Sequence, residues 1–355
     1  MFENYELGEP RNNQLKQTNH EKQSKTSNFL KKKQQQQQVV IAIGGNAILE
    51  NGQLGSFEEQ FSNITRTAKK IASIMLSGAD RFEIVALTHG NGPQVGNIAV
   101  QQDYASSYIP RQPMHLLIAM TQGQIGYMLQ HALQNELKIM GIDRQVISVI
   151  TQTLVDRTDP QFSNEKPSKP IGPFYTYTEA QQASRQNKYV VTKVKPTGEK
   201  AWRRVVPSPR PVEIVESEAI KKLIEDKFLV IASGGGGIPV VQNGHGFEGI
   251  EGVVDKDLVA ALLAKSIGAS ILLRLTDIDR VMLNFGKPNQ TAISKMTVQQ
   301  AKRYMEAGQF LGGSMGPKID SSLDFIEHGG ECAIITSIDR AMDALNGNAG
   351  TRIVL

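Results

Sequence analysis

The sequence predicts an α/β fold: a mostly parallel sheet covered by helices on both faces, with one inserted subdomain projecting from it. Three observations carry this expectation. From Val39 onward, short apolar runs rich in β-branched residues alternate with longer stretches whose apolar residues recur every three or four positions, the pattern of strands alternating with helices. Glycine-rich loops follow strand-like runs at Gly44-Gly45, at Gly90-Asn91-Gly92 and at Gly234–Gly237. The rhythm breaks only between Asp156 and about Pro211, where eight prolines gather.

In chain order, Val39–Ile43 reads as a buried strand stopped by two glycines. Phe57, Phe61, Ile64, Ala68, Ile71 and Met75 lie on one helix face, and Gly78 closes that helix. Glu83–Thr88 is the second strand, ended by His89-Gly-Asn-Gly92; a helix begins near Pro93, a residue suited to a first turn. Met114–Met140 is a long helix and Val146–Leu154 a third strand. Phe228–Ala232, Ile271–Leu275 and Ala333–Thr336 are the fourth to sixth strands, and helical patterns cover Leu258–Ile267, Val298–Ala307 and Ile319–His328. Such alternation builds a parallel sheet that binds ligands at the carboxyl ends of its strands, so the glycine loops should gather on one edge. Within the Pro-rich stretch, Tyr189–Val194 should turn at Thr197-Gly198 and return as Trp202–Val206, a hairpin. This stretch is either a lid over the site or a surface excursion without a role.

The chain has 355 residues, 40% of them hydrophobic, enough for a substantial core. Its net charge is +4, and residues 1–38 account for most of it with seven Lys/Arg against four Glu. What remains is too balanced for a nucleic-acid-binding face. Cys332 is the one cysteine, so an internal disulfide is impossible and a cysteine-built metal site is not expected. No apolar run reaches the ~18 residues that would signal a membrane span. Residues 1–38 are rich in Asn, Gln and Lys and end in a Gln run; too few apolar side chains are present for a core, so disorder is expected. A transit peptide is Arg-rich and poor in acids, whereas this segment has one arginine and four glutamates. The expected compartment is the cytoplasm, or an organelle if the extension is a targeting segment.

Several segments carry chemistry. In Gly252-Val-Val-Asp-Lys-Asp-Leu258 a lysine stands between two aspartates. Asp255 suits a helix cap and Asp257 a favourable first turn, but capping leaves Lys256 unexplained; a phosphoryl group with Asp257 orienting the lysines would explain it. Gly312-Gly-Ser-Met-Gly-Pro-Lys318 brings a glycine loop, a helix start and a cation to one place, the makings of a phosphate site; the plain alternative is a solvated lysine. Ile319 follows that lysine, so no P-loop is present. The loops at Gly44-Gly-Asn46 and Gly90–Gly92 are either ordinary strand exits or amide cradles for an anion. His89 reads as a structural hydrogen-bonder rather than a base. Gly244-His-Gly-Phe-Glu-Gly249 has dinucleotide spacing but follows a turn signal and precedes no helix, so that reading is set aside.

Taken together, eight segments in one order resemble the carbamate kinases of the amino acid kinase family: Gly44-Gly-Asn-Ala47, Thr88-His-Gly-Asn-Gly-Pro-Gln-Val-Gly96, Lys169-Pro-Ile-Gly-Pro-Phe174, Arg204-Val-Val-Pro-Ser-Pro-Arg-Pro211, Gly234-Gly-Gly-Gly-Ile-Pro239, Asp255-Lys-Asp257, Leu275-Thr-Asp277 and Gly313-Ser-Met-Gly-Pro-Lys318. The likeness runs from Val39 to Leu355. It implies an open αβα sandwich, a homodimer, Mg²⁺ accompanying the nucleotide with no protein side chain assigned to it, and the reversible reaction ATP + carbamate ⇌ ADP + carbamoyl phosphate, with a place in arginine and carbamoyl phosphate catabolism. It implies catalytic roles for Lys256, Lys318 and Asp257, and for Lys169 on the protruding subdomain. The loops at Gly44, Gly45, Asn46, Gly90, Asn91 and Gly92 would hold the transferred group. Gly234, Gly235, Thr276, Asp277, Ser314, Met315 and Gly316 would hold the nucleotide. The rival readings are a kinase of the same fold for a bulkier acylamino-acid or glutamate acceptor, and an inactive nucleotide sensor; the second would need a charged site residue to be missing, and none is.

Overall fold

The structure, a computed structural model, describes residues 36–163, 167–310 and 315–355. Within them the central sheet has eight strands: β1 (Gln37–Ile43), β2 (Phe82–His89), β3 (Val146–Ser148), β4 (Leu229–Ile231), β5 (Ile271–Thr276), β6 (Lys295–Thr297), β7 (Cys332–Ser337) and β8 (Thr351–Val354). Their order is β6-β8-β7-β5-β1-β2-β4-β3, and every pairing is parallel except that of β7 with β8.

Strand alternation explains why β1 reads as an unbroken apolar run. Val39, Ile41 and Ile43 enter one core, while Val40 and Ala42 enter the other. On the first face lie α1 (Phe57–Ser77), α3 (Met114–Ile139) and the short α9 (Ala341–Leu345). The second face is covered by α5 (Ser217–Glu225), α6 (Lys256–Ser266), α7 (Val298–Glu306) and α8 (Met315–Glu327). The result is the expected αβα sandwich. Each fully buried Ile or Leu in these cores contributes about 2 kcal/mol relative to exposure. Local signals set the helix ends: Ser56 and Glu59 form a reciprocal capping box at the start of α1, and Gly78 closes it. No described helix is long and apolar enough to cross a membrane.

The inserted segment is built from an antiparallel three-stranded sheet (Lys169–Tyr175, Trp202–Val206, Val191–Lys193) and α4 (Tyr177–Asn187). The expected hairpin is there, with Val191 opposite Arg204 and Lys193 opposite Trp202. Its two roots, Gln152–Val155 and Pro211–Ile214, pair antiparallel with each other, and the first pairs parallel with Ile238–Asn243 in a second sheet completed by Gly246–Gly249, so a long excursion leaves and returns at one place. The excursion packs back on α2 (Gly92–Ala105), where a Cβ on Gly96 would stand 3.1 Å from Gly172. Gly244-His245 is the turn of the hairpin that follows, in keeping with the rejected dinucleotide motif.

Two sequence readings need correction. The single strand expected over Val146–Leu154 is two strands in two sheets. The Gln122 side chain bonds both the amide and the carbonyl of Thr151, and that carbonyl also accepts from the Ile238 amide of the second sheet, so the chain changes sheets there although the composition stays β-branched throughout. The boundary placed after residue 38 also shifts. Gln37 and Gln38 pair with Phe82 and Glu83 inside β1, because backbone pairing at a strand end does not require apolar side chains. The expectation of disorder for residues 1–35 lies outside the described residues.

Candidate active site

The carboxyl ends of β1, β2 and β5 and the loop after β4 open onto one cavity of about 720 Å³, well within the range of ligand sites. Its wall includes Gly44, Gly45, Asn46, Gly90, Asn91, Gly92, Gly235, Thr276, Asp277, Lys169, Lys256, Asp257 and Lys318. Residues from Gly44 to Lys318 thus converge on one edge of the sheet. Gly234 stands behind the wall, where a Cβ would come within 2.3 Å of the His89 ring. Met315 and Gly316 open α8 just ahead of the wall residues Pro317 and Lys318. Ser314 and the preceding glycines Gly312 and Gly313 lie outside the described residues.

The charged centre is a buried cluster. Lys318 Nζ lies 3.1 Å from Asp257 Oδ2, and Arg274 Nη1 lies 3.1 Å from Asp257 Oδ1. Arg274 also donates to the Asp257 main-chain carbonyl, to Ser321 Oγ at 2.7 Å and to Ser322 Oγ at 3.1 Å. One strand arginine, 1% exposed, therefore ties the first turn of α6 to α8. Burial by itself would raise the Asp257 pKa, but Lys256, Arg274 and Lys318 outweigh it and hold the carboxyl at about 2. Lys256 Nζ is 3.5 Å from the Ile43 carbonyl and packs under Gly90. Burial, with Lys318 adding to it, lowers its pKa against the opposing pull of Asp257.

The glycine loops are close approaches of backbone to backbone. A Cβ on Gly44 would stand 2.7 Å from the Leu275 carbonyl, to which the Gly44 amide donates. The Gly90 amide donates to Ile43. These two amides stitch neighbouring strand exits together and do not point at a ligand, which corrects the expectation that they belong to an anion cradle. Gly45 and Gly92 open a 3₁₀ turn and α2, positions whose N–H groups have no partner within the helix. Asn91 donates to Thr121 of α3, so its side chain fixes the loop. Gly235 and Gly236 have φ of 65° and 93° and press on Asn91 and on the Val254 carbonyl, an arrangement open only to glycine. In the sheet order this loop and the Thr276-Asp277 pair lie on opposite sides of β1. His89 is fully buried, and burial lowers its pKa to about 4; its Nδ1–H donates to the Gly90 carbonyl at 3.0 Å. It is a structural hydrogen-bonder, as read from sequence.

Asp255 has two duties. Oδ1 accepts from the Asp257 amide as the α6 cap, and Oδ2 binds Lys169 Nζ of the insertion at 2.7 Å. Sequence reasoning found the cap and missed the ion pair. It also missed Arg274 and Arg203, which share the site with the lysines. Arg274 was hidden in the apolar run Ile271–Leu275, where a single charge in an otherwise buried strand was the available signal.

Fold and cluster together suit a phosphotransferase, with buried cations gathered where the parallel strands end. The profile of the Amino acid kinase family matches residues 37–337. Carbamate kinase of Thermococcus kodakarensis is 48% identical over 316 residues, covering 88% of this chain and 98% of its own. Carbamate kinase of Trichomonas vaginalis is 41% identical over 317 residues, with the same coverage. Among solved structures, carbamate kinase from Giardia lamblia bound to AMP-PNP matches with a TM-score of 0.82 at 39% identity, covering 90% of this chain and 98% of that one. The chain belongs to the amino acid kinase family, and within it to the carbamate kinases.

Proposed function

We propose that the protein transfers the γ-phosphoryl group of ATP to carbamate and, in reverse, makes ATP and carbamate from ADP and carbamoyl phosphate. The observation that carries this reading is the convergence of two lysines from different helices around one carboxylate, beside loops that end parallel strands. In the forward direction a carbamate oxygen bonds to phosphorus as the bond from phosphorus to the β–γ bridging oxygen breaks, and ADP leaves in line. Charge on the three equatorial oxygens is met by Lys256 and Lys318 and by the amides of Gly45 and Gly92. Asp257 holds Lys318 in place, and Lys169 covers the small substrate from the insertion, keeping water away from it. Thr276, Asp277, Met315 and Gly316 lie on the nucleotide side.

The nucleotide brings a divalent cation, taken as Mg²⁺. The ion is treated as part of the nucleotide substrate, since Mg²⁺ is held mainly by substrate phosphates and water. The working form is a homodimer. The surface that supports this is an aromatic strip on α1 and α3, where exposed Phe57 stacks on half-buried Phe61 at 5.2 Å and both Phe61 and exposed Tyr127 flank His131. The decisive experiment is a coupled assay for ATP formation from carbamoyl phosphate and ADP. Folded protein that forms no ATP there, but phosphorylates an acylamino acid or glutamate, overturns the choice of acceptor.

A further inference from the structure

The insertion brings two cations to the cavity wall, Lys169 and Arg203, and they differ in one respect. Lys169 is matched by Asp255 at 2.7 Å. Arg203 has no carboxylate partner among the described residues. Its Nη2 donates to the Gly172 carbonyl at 2.7 Å, and its guanidinium carbon lies 5.0 Å from the centre of the Phe174 ring. Its Nε–H is buried without any hydrogen-bond partner. A guanidinium that is partly desolvated, held at one corner and short of both a counter-charge and an acceptor is costly unless a ligand supplies them. Gly172 and Phe174 keep the planar fork in place in advance, and that fork matches two oxygens of a carboxylate-like group or a phosphoryl group.

The geometry points to Arg203 as a substrate-binding residue that takes the oxyanion of the small phosphoryl acceptor, carbamate or carbamoyl phosphate, from the insertion side of the cavity. This rests on the carbamate reading above. The two insertion cations then act together: Lys169, tied to the cap of α6, closes over the substrate, and Arg203 grips its oxyanion.

The test uses the full-length chain and its Arg203→Lys and Arg203→Ala variants, with ATP synthesis followed while carbamoyl phosphate and ADP are varied separately. In Arg203→Ala, kcat/KM for carbamoyl phosphate should fall at least about tenfold, the worth of one charged hydrogen bond, while KM for ADP stays within about twofold. Arg203→Lys should recover only part of the loss, since an ammonium is a point charge and not a fork. Added guanidinium ion should restore turnover to Arg203→Ala. Unchanged kcat/KM for carbamoyl phosphate overturns the proposal. So does an equal loss towards both substrates without rescue by guanidinium, which would leave Arg203 as a brace for Gly172. Thermal unfolding with and without carbamoyl phosphate is measured in parallel. The ligand should raise the unfolding temperature of the wild type and fail to raise that of Arg203→Ala, and an equal rise in both overturns the assignment. A wild type that forms no ATP refutes the carbamate reading instead, and the unfolding shifts still decide Arg203.

Discussion

Replacing Lys318 by methionine should abolish most turnover while leaving a folded protein, and the cluster around Asp257 explains both halves of that outcome. The substitution keeps an apolar stem of similar length in a site that is 6% exposed, and it removes one ammonium 3.1 Å from Asp257. A preorganised charge facing the migrating group is worth about 3 kcal/mol or more, so kcat should fall at least about a hundredfold. The carboxylate is not orphaned, because Arg274 still holds its other oxygen at 3.1 Å; the loss of stability should stay below about 2 kcal/mol. Asp257→Ala should differ in kind. It strips the shared partner from Lys318 and Arg274, leaving buried cations unpaired, and should cost about 3–5 kcal/mol of stability as well as a hundredfold in kcat. The coupled ATP assay reads kcat, and urea unfolding at neutral pH reads stability. Near-wild-type turnover in folded Lys318→Met would falsify the phosphoryl role of this lysine. Equal stability losses in the two variants would mean that the Arg274 pairing does not hold the carboxylate.

Gly90→Ala would place a Cβ 3.3 Å from Lys256 Cδ, so the lysine stem must give way slightly and carry its ammonium with it; a small misplacement at a reacting centre costs up to about a hundredfold, and kcat should drop at least about tenfold with the unfolding midpoint little changed. Unaltered kcat would show that the position of Lys256 is not critical. His89 gives a pH signature. Its pKa falls from the ordinary 6.5 to about 4 in the folded chain, so between those values the unfolded state takes up a proton that the folded state refuses, and stability decreases as pH drops, by about 2 kcal/mol at pH 5 relative to pH 7. Urea titrations at the two pH values should show this loss, and His89→Gln should remove it; a flat wild-type profile contradicts the burial argument. Cys332 is buried, and burial raises its thiol pKa, so iodoacetamide at neutral pH should leave activity intact and label the protein only in denaturant. Inactivation of native protein by the reagent would place that thiol within reach.

The sheet and its helices were legible because both faces are covered: β1, β2, β5 and β7 carry apolar side chains to two cores, and a run such as Val39–Ile43 has little else to become. The convergence of Gly44, Gly90, Lys256 and Lys318 was legible as well, since parallel strands present all their exits on one edge. Three-residue strands such as Val281–Leu283 and Thr291–Ile293 escaped because their pairing is fixed by partners far along the chain or across a loop, not by a local period. The break at Thr151 escaped because the side chain that holds that residue, Gln122, lies 29 positions away. The amide of Gly44 was misjudged for a related reason: glycine's freedom suggests an anion loop, but whether its N–H is available depends on the Leu275 carbonyl of a neighbouring strand. Partners of buried charges are tertiary facts, and sequence gives only the residues that need them.

The Asp255-Lys256-Asp257 tripeptide shows how such needs are met. Asp255 is the extended N-cap of α6, while Lys256 and Asp257 are successive helical residues that point about 100° apart and so do not face each other. Both aspartates act on the lysine between them through space, but their oxygens are bonded to other cations. Asp255 takes Lys169 from the insertion, while Asp257 takes Arg274 from the sheet and Lys318 from α8. Lys256 Nζ lies 3.5 Å from the Ile43 carbonyl and lines the cavity. The tripeptide thus binds three parts of the molecule to one helix end while its central lysine lines the cavity. A lysine flanked by carboxylates on a strand would have alternated faces with both of them. On this helix start the same three residues make a hub, and the physical reason is the angle between consecutive side chains.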